Sequence, residues 1–247
     1  VLVTGASRGL GRAIATAFRR VGARVVVNYF ESKDQAEALV KELGEERTLA
    51  IKGDVRSQAD MDKLFEEAKE NFGHPITTVV NNALIDFKFN GDDRVPLEKM
   101  KWKDLSKQIE GNLRSALNTY HSAKKDMTEH GFGRIINIGT NLVQHPVVPY
   151  VDYNTAKAAL VGLTRNMAKE LGTHGINVNM VSAGLLDRTD ASDATPDAIF
   201  QAIAQNTPIG HAITPEEVAD AVIFFASPWS RGITGQNLVV DGGLVMD

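Results

Sequence analysis

The chain predicts an α/β protein: a single doubly wound domain with a parallel sheet of about seven strands and helices on both faces. Three observations lead there. Short β-branched runs alternate with longer stretches of helical period, the pattern of βα units around a parallel sheet. Polar and glycine residues gather where the apolar runs end. No linker, repeat or low-complexity tract divides the 247 residues, so one domain over 1–247 accounts for the chain.

"VLVTG" reads as the first strand, followed by Leu10, Ile14, Phe18 and Val21 at helical spacing. "ARVVVNY" is the second strand. Ser32 and Gln35 have capping-box spacing at the start of the next helix. "TLAIKGDV" is the third strand; Ser57 and Asp60 then mark a helix start, with Met61, Leu64, Phe65, Ala68 and Phe72 as its buried stripe. "ITTVVNNA" is the fourth. A long helix is expected from about Trp102 to His130, with Leu105, Ile109, Leu113, Leu117 and Tyr120 on one side. "GRIINIGT", "INVNMVSAG" and "NLVVDGG" complete the strands, and helices are expected near 196–206 and 215–226. Leu84 to Lys101 reads as a long loop with one turn of helix, and Gly184 to Pro196 as a polar, mobile lid.

Composition narrows the function classes. A net charge of −4 gives no general attraction to nucleic acid or an anionic membrane. The absence of cysteine excludes disulfides, thiolate metal sites and a cysteine nucleophile. The histidines have no carboxylate partner at ligand spacing, so no metal is expected. The apolar runs are too short to span a bilayer and no leader precedes the first strand; the chain starts inside that strand, so a short N-terminus is expected to be missing, and the expected location is cytoplasmic.

In an open parallel sheet, ligands bind beyond the carboxyl ends of the strands. Gly5, Gly9 and Gly11 lie at the first such end, spaced G-x-x-x-G-x-G. A sharp strand-to-helix turn needs a residue without Cβ, and close approach to a pyrophosphate needs another. The helix that opens there offers free N–H groups to phosphates. With Thr4 before the turn and Asp54 and Asn82 at neighbouring strand ends, the reading is a Rossmann-like dinucleotide site.

Three of the four tyrosines read Tyr-x-x-x-Lys: Tyr29 with Lys33, Tyr120 with Lys124, and Tyr153 with Lys157. On a helix this spacing stacks phenol and ammonium on one face, a combination suited to proton exchange. Tyr29 ends a strand, and Tyr120 lies several turns into its helix. Only Tyr153 and Lys157 begin a helix after a strand that delivers a hydroxyl, Thr140, to the same rim.

These motifs, "TGASRGLG", "NNA", Asn112 in "GNLRSAL", "YNTAK" thirteen positions after a hydroxyl residue, Asp54 in "GDV" and the closing "ITGQNLVVDGG", resemble the short-chain dehydrogenase/reductase family over essentially the whole chain. The overall shape is most similar to the 3-oxoacyl-[acyl-carrier-protein] reductase branch, whose setting is fatty acid biosynthesis. The resemblance implies hydride transfer between a nicotinamide and a carbonyl or alcohol. Tyr153 would protonate the oxygen, Lys157 would lower the phenol pKa and hold the nicotinamide ribose, Thr140 would polarise the carbonyl, and Asn112 would position a relay water. Cofactor contacts would come from Gly5, Ser7, Arg8, Gly9, Leu10 and Gly11, from Asn28 and Tyr29, from Asp54 and Val55 at the adenine, and from Asn82, Ala83 and Gly184, with Tyr153 and Lys157.

Four departures put the substrate in doubt: Thr140 replaces the usual serine, Leu84 the usual glycine after "NNA", Ala183 the usual proline before Gly184, and the loop from Leu84 to Lys101 is longer than is typical. Cofactor choice turns on Arg8, suited to a 2′-phosphate, and on the neutral Asn28-Tyr29 end of the second strand, against Glu31 two residues on. NADP(H) is favoured and NAD(H) remains possible. His145 borders the catalytic segment, and the "AKKD" stretch at Lys124 and Lys125 is a solvated face before it is a docking site for an acidic carrier protein. The leading reading is an NADPH-dependent reductase of a 3-oxoacyl thioester or similar β-keto compound, carrier-bound or free. The alternatives are a dehydrogenase of a sugar, polyol or other small alcohol, and a cofactor-binding protein with little turnover. The helices around Asn112 and Tyr153 are more apolar than one sheet face needs, and the family pairs such helices between subunits, so a homotetramer is expected.

Overall fold

The computed structural model describes residues 1–91 and 93–246. Seven strands form one sheet: β1 (Leu2–Val3), β2 (Val25–Tyr29), β3 (Thr48–Lys52), β4 (Thr78–Asn81), β5 (Gly133–Thr140), β6 (Ile176–Ala183) and β7 (Asn237–Val240). Their order is β3-β2-β1-β4-β5-β6-β7, and all neighbours run parallel. Helices cover both faces, so the inner strands are buried on both sides and read as continuous apolar runs; all five residues of β2 are buried.

The period-two alternation then sorts side chains between two cores. Val3, Val27, Val80, Ile136 and Val181 pack with α1 (Gly9–Arg20), α2 (Lys33–Leu43) and α8 (Pro215–Ala226) through Ile14, Phe18, Leu39, Val222 and Phe225. Leu2, Val26, Val79, Ile135 and Val178 pack on the other face with α3 (Gln58–Phe72), α5 (Ser115–His130) and α6 (Val151–Leu171) through Met61, Leu64, Met127 and Leu171. Each such fully buried aliphatic side chain contributes about 1.5–3 kcal/mol. α4 (Trp102–Ile109) and α7 (Asp197–Asn206) lie outside this two-layer scheme and flank the loops described below.

Strand order reverses at β1, which lies between β2 and β4. A crevice opens at such a switch point, at the carboxyl ends of the strands. The helices beside it are tied to the sheet by a buried polar chain. Thr119 on α5 donates to Asn81 Oδ1 at 2.8 Å, Asn81 to Asn137 Oδ1 at 2.8 Å, and Asn137 to Thr164 of α6 at 2.8 Å. Every member is satisfied, which fixes the height of α5 and α6 against β4 and β5.

Three expectations are corrected. Ser32 precedes α2 but its side chain makes no capping hydrogen bond; the cap at Ser57 forms, accepting from the Asp60 N–H. The long helix is three pieces, because Glu110–Arg114 is a π-helical turn between α4 and α5. The wider turn rotates every later residue, so Ala116, Asn118, Thr119 and Tyr120 are buried and Leu117 faces outward, 37% exposed. As expected, the loop after β4 carries one short helical turn among its described residues, the 3₁₀ turn Leu97–Lys99; Asp92 lies outside the described residues. No helix among the described residues is long and apolar enough to cross a membrane.

Candidate active site

The glycine turn is built by close packing. Gly5 has φ +60°, and a Cβ there would lie 3.0 Å from Ala83 Cα. A Cβ on Gly11 would strike the Gly5 carbonyl oxygen and lie 2.6 Å from Asn82 Nδ2. α1 therefore starts hard against the end of β4, and its N-cap, Arg8, supplies no side-chain cap to the first N–H groups. A helix N-terminus without a side-chain cap above a glycine cradle fits a pyrophosphate.

Thr4, Asn28 and Asn82 hold the turn in place. Thr4 Oγ1 accepts from the Asn82 and Ala83 N–H groups at 2.9 and 3.0 Å. Asn82 Nδ2 donates to the carbonyls of Thr4 and Gly5 at 2.9 and 3.2 Å. Asn28 Oδ1 accepts from Gly5 N–H at 3.3 Å while its Nδ2 donates to Gly53 at 3.0 Å. Asn28 is buried and its amide is spent on the backbone, so it shapes the glycine turn rather than offering a free group. Tyr29 likewise turns into the core beneath α1.

The residues expected to be catalytic lie around the neighbouring strand end. Thr140 closes β5 and Tyr153 lies in the first turn of α6; their hydroxyls share a hydrogen bond. Lys157, one turn on, donates from Nζ to the Ile138 carbonyl at 2.7 Å, with Nζ 5.6 Å from the Tyr153 ring centroid. All three are buried. Asn112 sits in the π turn and donates to the Gln108 carbonyl at 2.8 Å; such turns recur at functional sites. Tyr120 and Lys124 have nearly the same mutual geometry, at 6.0 Å, but Tyr120 packs in the core beneath α5 with no hydroxyl residue of the rim beside it.

A family model described as Enoyl-(Acyl carrier protein) reductase matches residues 5–245. The chain belongs to the short-chain dehydrogenase/reductase family. A 3-oxoacyl-[acyl-carrier-protein] reductase of Synechocystis sp. is 36% identical over 99% of this chain and 96% of its own length. The reductase of the same name from Staphylococcus aureus is 32% identical over 99% and 97%. A dehydrogenase/reductase from Sinorhizobium meliloti superimposes with a TM-score of 0.86 at 32% identity, covering 99% of this chain and 94% of that one. As a member of the family, the chain is an NAD(P)-dependent oxidoreductase acting on CH–OH/C=O groups.

Burial dominates the titration of Tyr153 and Lys157. It pushes the Tyr153 phenol well above its ordinary value, outweighing the hydrogen bond to Thr140. Lys157 turns its ammonium to the Ile138 carbonyl and is itself pushed down to about 8 by burial. The unfolded lysine holds its proton to a higher pH, so the penalty for burying the charge is complete below pH 8 and fades as pH rises toward 10.5. Lys157→Met should thus gain stability relative to the parent on going from pH 10 to pH 7, by at most ~3 kcal/mol. Chemical denaturation of both proteins at the two pH values checks this; a difference constant with pH would contradict it.

The remaining expected residues divide. Gly9 faces Thr189 of the loop after β6, and Arg8 pairs with Asp190 of that loop at 3.4 Å, both side chains being largely exposed. Asp54 reaches the rim, but Arg56 grips its carboxylate bidentately and holds its pKa below the ordinary range. Val55 buries its side chain in the core and gives its carbonyl to Asn118. Gly184 is glycine for packing, since a Cβ would lie 2.9 Å from Asp241 Cβ. Ser7 is buried within the turn, Leu10 and Leu84 are half-buried, and His145 is exposed. Among the described residues no acidic or histidine cluster could hold a metal.

Sequence reasoning missed two groups. Phe30, after β2, is exposed, with Lys52 Nζ and the Arg56 guanidinium 6.0 and 5.9 Å from its ring centroid. The register that pairs Tyr29 with Lys52 puts these cations at the β2 end. Phe87 and Phe89 were passed over as loop residues, yet their rings gather with Tyr150 around Tyr153. Their signal is "FKF", two aromatic residues close together in a loop.

Proposed function

We propose that this chain is an NADPH-dependent reductase of the keto group in a 3-oxoacyl thioester or similar β-keto compound. The observation that carries the reading is the shared hydrogen bond of Thr140 and Tyr153, two hydroxyls converging where one carbonyl oxygen can accept from both. When bound, the nicotinamide supplies the hydride to the carbonyl carbon. Thr140 donates to the oxygen and stabilises the charge that grows there. Tyr153 hands its proton to the same oxygen, giving the alcohol; a buried, fully protonated phenol suits this direction. Lys157 holds the ribose hydroxyls and, as a cation, stabilises the phenolate left behind. Asn112, in the π turn, positions the water through which the replacement proton arrives. The aromatic surroundings of Tyr153 favour an acyl ketone over a polyol, whose hydroxyls would lie there unpaired.

Arg8, with Lys52 and Arg56 at the β2 end, supports a cofactor that carries a 2′-phosphate. Arg8→Ala should raise the Kd for NADPH about tenfold and that for NADH little, as measured by nicotinamide fluorescence titration. Equal losses would remove Arg8 as discriminator and bring forward Glu31 as a ribose ligand. We also place the chain in a homotetramer; a monomeric mass by light scattering at micromolar protein would refute that.

The function itself is tested by following NADPH and NADH absorbance with β-ketoacyl thioesters, simple ketones and sugars. Loss of NADPH with the thioesters is expected. Turnover confined to sugars or polyols would establish the dehydrogenase reading, and cofactor binding with no turnover the non-catalytic one.

A further inference from the structure

Tyr153 cannot meet a ketone in the arrangement described. It is 4% exposed, and one face of its ring is covered by Phe87, stacked at 4.5 Å between centroids and 15° between planes. Around that stack the other rings stand edge-on. Phe89 lies 5.1 Å from Phe87 at 82°, Tyr150 lies 5.2 Å from it at 81°, and Phe89 meets Tyr153 at 5.5 Å and 86°. The result is a slot one ring thick, floored by the proton donor and walled by ring edges, the geometry aromatic pairs prefer.

The ring that fills the slot belongs to a loop, not to the scaffold. Phe87 follows Asp86, which adopts φ +47°, an uncommon conformation for a residue with a side chain. Phe87 is itself only half-buried. The wall behaves differently: the Phe89 N–H donates to Ala191 at 3.0 Å and its carbonyl accepts from Thr195 Oγ1 at 3.0 Å, fastening it to the loop after β6.

We infer that Phe87 is a plug standing in for the substrate, and that the slot it vacates takes a flat, apolar group, an aryl ring above all, carried next to the ketone. This rests on the reading that Tyr153 protonates a ketone. A ring entering the slot recovers the stacked and edge-on contacts that Phe87 gives up, while a methyl or linear alkyl group recovers few of them. The aryl ketone should therefore be preferred by roughly tenfold in kcat/KM.

The test follows NADPH oxidation with N-acetylcysteamine thioesters of benzoylacetate and acetoacetate, in the parent and in Phe87→Ala, Phe87→Leu and Phe89→Leu. The parent should prefer the benzoyl compound. Phe87→Ala should lower KM for both substrates, since neither then displaces a plug, and Phe87→Leu should do so less. Phe89→Leu should shrink the preference by removing a wall. Equal kcat/KM for the two substrates in the parent would overturn the slot while leaving the reductase reading intact. An unchanged or higher KM in both Phe87 variants would overturn the plug. Turnover of neither compound would overturn the reductase reading and the inference with it.

Discussion

Tyr153→Phe should lower kcat by roughly 10³-fold and leave the Kd for NADPH within about twofold of the parent. The substitution removes one oxygen. The phenyl ring still stacks on Phe87 and meets Phe89 edge-on, so the packing of the slot is preserved. What is lost is the proton donor and the partner of the Thr140 hydroxyl. Steady-state rates and fluorescence titration separate the two effects. Tyr120→Phe is the control, because that tyrosine has a lysine at similar distance but sits in the core beneath α5. Turnover of Tyr153→Phe close to the parent's would mean that the Tyr153 hydroxyl has no part in the chemistry.

Thr140→Val should cost roughly 10²-fold in kcat, the usual penalty for deleting one donor aimed at a developing oxyanion. Valine keeps the branched shape at the end of β5 and removes only the hydroxyl. It also leaves the Leu142 N–H without the acceptor it has at 3.2 Å, so a melting curve must accompany the rates. Thr140→Ser retains the hydrogen bond, frees the volume of one methyl and should stay active. A valine variant as fast as the parent would reduce Thr140 to packing and raise the case for a protein that binds cofactor without turnover.

The parts of this account legible in sequence are those set by local rules. The strand and helix alternation carried the seven-stranded topology, because both faces of the sheet demand apolar runs where β1 to β7 lie. The glycines marked the turn because no other residue fits beside Ala83 and Asn82. Choosing Tyr153 over Tyr120 needed only the strand-end hydroxyl, since the tyrosine–lysine spacing is common to both. Features that depend on what lies opposite were not legible. The π turn at Asn112 inserts no distinctive residue, so the apolar stripe was projected one position wrong and Leu117 was placed inward. Asn28 looked like a ribose neighbour, but its amide is consumed by Gly5 and Gly53, partners far away in the chain. Burial raises the Tyr153 pKa, and the Phe87 ring stacked on it comes from a loop whose position no local motif announces.

In the proposed reaction a hydride reaches a ketone carbon whose oxygen is held by Thr140 and Tyr153. The most direct measurement supplies NADPH deuterated at the transferable C4 position together with acetoacetyl thioester, and analyses the product by mass spectrometry and NMR. The account predicts 3-hydroxybutyryl thioester with a single deuterium on the carbon that bears the hydroxyl, formed by the parent and nearly lost in Tyr153→Phe. With crotonyl thioester offered instead, no deuterium should be incorporated. Label appearing in a saturated butyryl product, or NADPH consumed without any labelled alcohol, would contradict it.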